Sequence, residues 1–293
     1  MDVRRTTVAV TGATVSLLEW APVDPIGPAV LLLHGGGADN AELSWAQVGA
    51  TLADAGYRVI ASDHPGFGQS PRASWPLTQQ HLIQYVGELA DVLGLDDYVI
   101  GGLSLGGGLA LGHLLDRPGA ARGAMLLGSF GIMPRLTDGP LSRANQLTTY
   151  ALLRSGLLAA MTRGYARNPG AMERGLRAIV RNPAARTPEL VRAVVDEAAS
   201  GESLRTFGEW QRDQVLWDRL RTDYTDRLPG IPTPVLLVHG DRDSGVPIAR
   251  ARAAAELLPH ATLLTVDGAG HWVQRDRPDL VVPALLDFVR GLG

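Results

Sequence analysis

Cysteine is absent from this 293-residue chain, which excludes disulfides, zinc–thiolate sites and a thiol nucleophile and leaves the redox compartment open. Lysine is absent too: all 27 basic residues are arginine, so Schiff-base chemistry on a lysine is excluded. No run approaches the ~18 consecutive apolar residues of a spanning helix. After Met1-Asp2-Val3-Arg4-Arg5 the chain is interrupted by Thr, Gly and Glu19 before an apolar signal core can form. A cytoplasmic location with no membrane partner is therefore expected. The net charge is only −3, with no block of like charges, so nothing favours nucleic acid as a partner. No His, Asp and Glu cluster has metal-ligand spacing, and neither a metal nor another cofactor is expected. Internal repeats and low-complexity tracts are missing as well. What remains is a chain that is 45% hydrophobic and 19% charged, long enough for one large core or a core with an insertion.

Short apolar runs bounded by Gly or Pro recur at residues 29–33, 58–61, 98–101, 124–127, 235–238 and 261–266. Runs that are apolar throughout, rather than alternating, predict strands buried on both faces of a parallel sheet. Helical patterns separate them. Residues 78–93 illustrate this, with Leu82, Ile83, Val86, Leu89 and Leu93 at three- and four-residue spacing. The alternation predicts an α/β fold built on a doubly wound, mostly parallel sheet. Residues 6–10 and 14–20, around Thr11-Gly12-Ala13, predict a hairpin at the sheet edge.

Between residues 132 and 229 the alternation stops and nearly everything reads as helix. Residues 141–163 form one long amphipathic stretch, and Thr187-Pro188-Glu189 marks a helix start with Thr as N-cap and Pro at the first position. The tract Pro229-Gly230-Ile231-Pro232-Thr233-Pro234 closes this segment. The expected organisation is a core of residues 1–131 and 230–293 carrying a helical cap at 132–229. The cap holds 15 arginines against 11 acidic residues, which a solvated helical surface explains.

The chemistry centres on Gly102-Leu103-Ser104-Leu105-Gly106. The apolar Tyr98-Val99-Ile100 runs into it and a helical pattern over 105–115 runs out, which makes a strand, a sharp turn and a helix with a serine at the tip. Glycines flank the serine because a Cβ at either position would collide with the neighbouring strand or helix. A serine hydroxyl is a poor nucleophile until a base takes its proton, and that base needs a carboxylate to orient it. Past the run 235–238 comes His239-Gly240-Asp241-Arg242-Asp243-Ser244-Gly245-Val246-Pro247, and past 261–266 comes Asp267-Gly268-Ala269-Gly270-His271-Trp272. Leu31-Leu32-Leu33-His34-Gly35-Gly36-Gly37 adds a glycine-rich loop after a strand, able to turn a backbone N–H toward the serine. Phosphate cradling does not fit this loop, because no Lys-Ser/Thr follows it and no G-x-G-x-x-G opens a helix. His34, His64 and His239 stand at strand ends and read as backbone-bonding residues. His81, His113 and His260 read as helix-surface or loop residues.

These motifs, in this order, resemble the serine-nucleophile branch of the α/β-hydrolase superfamily over residues 26–131 and 232–291. The resemblance implies that Ser104 is the nucleophile, His271 the general base and then acid, and Asp243 the carboxylate that orients His271. Asp243 is preferred to Asp241 because the family's acid stands three residues before the Val-Pro pair, here Val246-Pro247; Asp241 then caps a turn. It further implies an oxyanion hole from the backbone N–H groups of Gly36 and Leu105 and substrate contacts from Gly35, Gly37, Leu103 and Trp272. Asp63-His64-Pro65-Gly66-Phe67-Gly68-Gln69-Ser70 resembles a structural turn beside the site.

Haloalkane dehalogenases and epoxide hydrolases carry an aspartate where this chain has Ser104. Within the serine branch the expectation is a carboxylesterase-like enzyme that cleaves a small to medium, largely apolar small-molecule substrate through an acyl-enzyme. The stretches 34–37, 54–60 and 270–274 also resemble the C–C bond hydrolases that cleave vinylogous diketones in aromatic ring-cleavage pathways. The chain departs from those at Leu103, where an asparagine usually precedes the nucleophile. Lactonase, thioesterase and a ligand receptor of the same fold remain alternatives, and the oligomeric state is left open. Leu152, Leu153, Leu157, Leu158, Met161, Phe207 and Trp210 are expected to roof Ser104 with apolar surface.

Overall fold

The computed structural model describes residues 3–293; Met1 and Asp2, which belong to the expected core segment, lie outside the described residues. In chain order the elements are β1 (Arg4–Val10), β2 (Ala13–Trp20), β3 (Ala29–Leu33), α1 (Ala41–Asp54), β4 (Val59–Ser62), α2 (Gln79–Val92), β5 (Tyr98–Leu103), α3 (Leu105–Asp116) and β6 (Ala121–Leu127). There follow α4 (Ser142–Arg154), α5 (Leu157–Ala166), α6 (Pro169–Ile179), α7 (Pro188–Ala199) and α8 (Glu202–Gln214). The chain closes with β7 (Val235–Gly240), α9 (Ile248–Leu257), β8 (Ala261–Val266), α10 (Val273–Asp276) and α11 (Pro278–Arg290).

The strands form one sheet in the order β1-β2-β4-β3-β5-β6-β7-β8. β1 and β2 are the expected hairpin, β2 pairs antiparallel with β4, and every other pairing is parallel. This is the predicted doubly wound, mostly parallel sheet. The apolar runs are buried on both faces because helices cover both: Leu105 and Leu109 of α3 pack on one side with α2 and α9, and Trp45 of α1 packs on the other with Val281 and Leu285 of α11. β3 pairs with β4 on one side and β5 on the other. The winding therefore reverses at β3 and β5, and the loops leaving their carboxyl ends diverge to leave a crevice there.

Between β6 and β7 the chain makes helices and loops, with one isolated antiparallel bridge between Val215 and Leu220. The amphipathic stretch over 141–163 forms two helices: Gly156, at φ +76°, separates α4 from α5. α7 begins as its sequence predicts, with the Thr187 hydroxyl accepting the Leu190 N–H and Pro188 in the first turn. These helices are fastened to α2 and to the loop after β8 by polar contacts. Trp210 Nε1–H donates to Gln79 Oε1 at 2.9 Å, and the Trp272 N–H donates to the Ile179 carbonyl at 2.9 Å. Among the described residues no helix is long and apolar enough to cross a membrane.

Candidate active site

β5 runs straight into α3 with Ser104 at the junction, at φ 51° and ψ −112°. It is the one non-glycine residue with positive φ among those described. Such a conformation costs about 1–3 kcal/mol and persists only where its surroundings over-determine it. Here they do: the Ser104 N–H donates to the Leu127 carbonyl at 2.9 Å, and its own carbonyl accepts the N–H groups of Gly108 at 3.0 Å and Phe130 at 2.9 Å. The flanking glycines are there for space. A Cβ on Gly102 would lie 2.2 Å from the Gly106 carbonyl oxygen, and one on Gly106 would lie 2.2 Å from that of Leu33. Strand and helix thus meet backbone to backbone, as the sequence predicts.

His271 stands on the loop after β8, and its Nδ1 lies 2.9 and 2.8 Å from the two carboxylate oxygens of Asp243, on the loop after β7. The Asp243 side chain is fully buried. Its Oδ1 also accepts the N–H groups of Gly245 at 2.6 Å and Val246 at 2.9 Å, and His239 Nε2 approaches its Oδ2 at 3.2 Å. Burial alone would raise this carboxyl; the hydrogen bonds from His239 and His271 outweigh it and hold Asp243 well below the usual carboxylate range. The carboxylate is therefore charged at neutral pH. With Nδ1 occupied, Nε2 is the free nitrogen of His271. Asp241 stands apart, exposed, its Oδ1 accepting the Gly268 N–H at 2.6 Å in the turn after β8.

The glycine-rich loop after β3 is shaped by His34. Its Nε2 accepts the His64 N–H at 3.0 Å, so the ring proton is on Nδ1, which donates to the Gly35 carbonyl at 2.7 Å. That carbonyl and the Gly36 N–H belong to one planar trans peptide, so holding the first fixes the direction of the second. Full burial pushes the His34 pKa down to about 3 and keeps the ring neutral. His64 returns a bond from Nε2 to the His34 carbonyl at 3.1 Å, and His239 Nε2 lies 2.8 Å from the Val246 carbonyl. All three strand-end histidines bond backbone, as read. His113 does not lie on the surface as expected: it is 1% exposed, with Nε2 against the Tyr98 hydroxyl, because α3 is covered on nearly every side.

A cavity of about 380 Å³ brings most of the predicted site together, lined by Gly35, Gly36, Gly37, Leu103, Ser104, His271 and Trp272. Asp243 sits behind His271. Leu105 is buried, and as the first residue of α3 its N–H has no acceptor within the helix. The roof differs from the expectation. Of the seven apolar residues named for it, Leu158 and Phe207 line the cavity. Leu153 and Trp210 are buried in the core, while Leu157 and Met161 are 52% and 56% exposed; Leu152 does not reach it either. The break at Gly156 sets this register, so that Leu158, Thr162 and Tyr165 share the inward face of α5. Met172, Gly175, Leu176 and Ile179 of α6, Val194 of α7, and Leu204 and Gln211 of α8 complete the wall, none of them singled out from sequence.

Two carboxylates beside the site also escaped sequence reading. Asp276 is 1% exposed and accepts three backbone N–H groups, from Gly270, Arg181 and Asn182. Asp39 lines the cavity at the end of the glycine-rich loop. Among the described residues no three His, Asp or Glu side chains gather as a metal site.

Comparison with known proteins bears on this arrangement. The chain is 27% identical over 270 residues to the 2-hydroxy-6-oxo-6-(2'-aminophenyl)hexa-2,4-dienoic acid hydrolase of Metapseudomonas resinovorans, covering 90% of this chain and 84% of that protein. It is 31% identical over 304 residues to epoxide hydrolase A of Mycobacterium tuberculosis, covering 92% of each. It superposes on a meta-cleavage product hydrolase variant from Pseudomonas fluorescens with a TM-score of 0.80, at 22% identity and with 98% of both chains covered, a likeness of fold. A model described as alpha/beta hydrolase fold matches residues 28–278. That span takes in the elbow, the inserted helices and both loops that carry Asp243 and His271, and on it the chain belongs to the alpha/beta hydrolase fold family.

Proposed function

We propose that the protein is a serine hydrolase that cleaves carboxylic esters of small to medium, uncharged and largely apolar substrates through an acyl-enzyme on Ser104. The observation that carries this reading is the pairing of His271 Nδ1 with the buried, charged Asp243, on a histidine that shares one cavity with Ser104. His271 Nε2 takes the proton from Ser104 Oγ as that oxygen attacks the ester carbonyl carbon. The carbonyl electron pair moves onto its oxygen, and the N–H groups of Gly36 and Leu105 bind the resulting oxyanion. One such donor is typically worth ~10²–10³ in turnover. The tetrahedral intermediate collapses, the alcohol leaves with the proton from Nε2, and the acyl group stays on Ser104. Water, deprotonated by Nε2, then attacks the acyl carbon by the same route and releases the acid. The helices of residues 132–229 act as the cap over this chemistry.

A second reading, C–C bond hydrolysis, draws on the relative that acts on a dienoic acid. The cavity wall favours the ester reading. The residues that line it include no arginine, and their one carboxyl is Asp39. A substrate carboxylate entering there would lose water without gaining a cation, which is costly. The discriminating experiment compares wild type with Ser104→Ala on p-nitrophenyl esters, lactones, thioesters and a ring-cleavage dienoate. Esters turned over by wild type alone, with little action on the dienoate, is the expected result. Preferential cleavage of the dienoate would replace the ester reading with the C–C one.

A further inference from the structure

Asp39 stands at the end of the glycine-rich loop and has no part in the reaction steps above. It lines the cavity, yet the residue is only 5% exposed. A carboxylate taken out of water is unfavourable unless its oxygens are bonded, and these are. Oδ2 accepts the Gly35 N–H at 2.7 Å and Oδ1 accepts the Asn40 N–H at 2.8 Å. The Ser44 hydroxyl lies 2.9 and 2.8 Å from the two oxygens. Having given its one proton to the carboxylate, Ser44 Oγ keeps lone pairs for the Nε1–H of Trp272, 3.2 Å away. A continuous line of bonds therefore runs from the residue after His271, through Ser44 and Asp39, to the residue before Gly36.

We infer that Asp39 is a positioning residue: through Gly35 on one side and Ser44 and Trp272 on the other, it locks the loop that bears the Gly36 N–H to the loop that bears His271, and so holds both in register with Ser104. The inference rests on the serine hydrolase reading. Full burial pushes the Asp39 carboxyl up to about 7, against the bonds from Ser44, Gly35 and Asn40 and with repulsion from Glu197 of α7. Arg275 of α10, itself beside Glu42 of α1, attracts it, and His271 shares its cavity. The ionised group accepts every one of these bonds. The protonated group turns one oxygen into a donor and weakens the bonds that oxygen accepts from an N–H and from the Ser44 hydroxyl. The lock is thus complete above about pH 7 and loosened below it.

The test uses the full chain as wild type, Asp39→Asn, Asp39→Ala and Ser44→Ala. Titration with a fluorophosphonate counts competent sites, and kcat and KM for p-nitrophenyl butyrate are then measured per titrated site from about pH 5.5 to 8.5. Asp39→Ala is expected to lose about 10²-fold in kcat, the scale of a small misplacement of reacting groups, with KM nearly unchanged. Asp39→Asn, which keeps one acceptor oxygen, recovers part of that loss, and Ser44→Ala shows a smaller one. The rise of log kcat with pH is expected to be larger in wild type, where the general base and the Asp39 lock both contribute, than in either Asp39 variant, where the base alone does. Unchanged kcat per titrated site, with losses confined to melting temperature or titratable fraction, would reduce Asp39 to a structural residue and overturn the inference. A pH profile of Asp39→Asn with the same shape as that of wild type would overturn it too. Failure of wild type to take up the probe would instead overturn the serine hydrolase reading on which this rests.

Discussion

The carboxylate of Asp276 accepts the backbone N–H of Gly270 at 2.5 Å, and so anchors the residue immediately before His271. The same carboxylate takes the N–H groups of Arg181 at 2.8 Å and Asn182 at 2.5 Å, so one buried side chain ties the histidine loop to the segment after α6. Removing it leaves three backbone donors to find other partners, the buried one on Gly270 and two part-buried ones. Each unsatisfied group costs ~1–3 kcal/mol. With one donor fully buried, Asp276→Ala should lose about 1–3 kcal/mol in urea unfolding, with an unchanged m-value. A loss below about 1 kcal/mol would show that water or a shifted loop replaces the carboxylate without cost.

Asp243 and Asp241 stand two residues apart in environments that could hardly differ more. Asp243 is buried against His271 and His239, and Asp241 is exposed with one bond to a turn. Asp243→Asn should lower ester turnover by about 10⁴-fold, since the histidine loses the partner that fixes its tautomer. Asp241→Asn should act mainly on stability, by less than about 1 kcal/mol. Steady-state kinetics on both variants checks this; the opposite ranking would move the carboxylate to Asp241.

The depressed Asp243 carboxyl has a consequence for stability against pH. Its folded pKa lies below its unfolded value, near 3.9. It therefore contributes stability that is fully present above that value and is lost as pH falls through the folded pKa. The gap in unfolding free energy between wild type and Asp243→Asn should be constant from about pH 5 upward and should shrink below about pH 4. Urea titrations at several pH values measure it. A gap that widens in acid would contradict the sign.

Substrate length should be read by Leu158 and Phe207, and not by Leu157 and Met161, which point to solvent. Each fully buried methylene is worth about 0.8 kcal/mol, or roughly fourfold in kcat/KM, until the cavity is full. Specificity constants for acetyl through decanoyl esters should rise and then collapse. Leu158→Trp should move the collapse to shorter chains, while Leu157→Gln should leave it in place. A flat profile in wild type would mean that the cavity does not receive the acyl chain.

Several of these features were legible in the sequence, for physical reasons. Strands buried on both faces leave uninterrupted apolar runs, and the close approach of α3 to β5 and to the end of β3 demands glycine at 102 and 106. His34 was read correctly because a histidine at a strand end meets unpaired backbone. The cavity wall was not legible, since its register is set by the break at Gly156, and a glycine inside a helical pattern is compatible with either a continuing or a terminating helix. Asp39 and Asp276 were missed for a different reason. Their partners are mostly backbone N–H groups, which every residue but proline carries, and two of the three that Asp276 binds lie 94 and 95 positions away.

The central claim is that Ser104 accepts the acyl group, and intact-protein mass spectrometry after fluorophosphonate treatment tests it most directly. Wild type should gain a single adduct that peptide mapping places on Ser104, with ester turnover lost in step with labelling. Ser104→Ala should fold as wild type does, take up no adduct and turn over no ester. An adduct mapped elsewhere, or ester turnover undiminished in Ser104→Ala, would contradict the assignment.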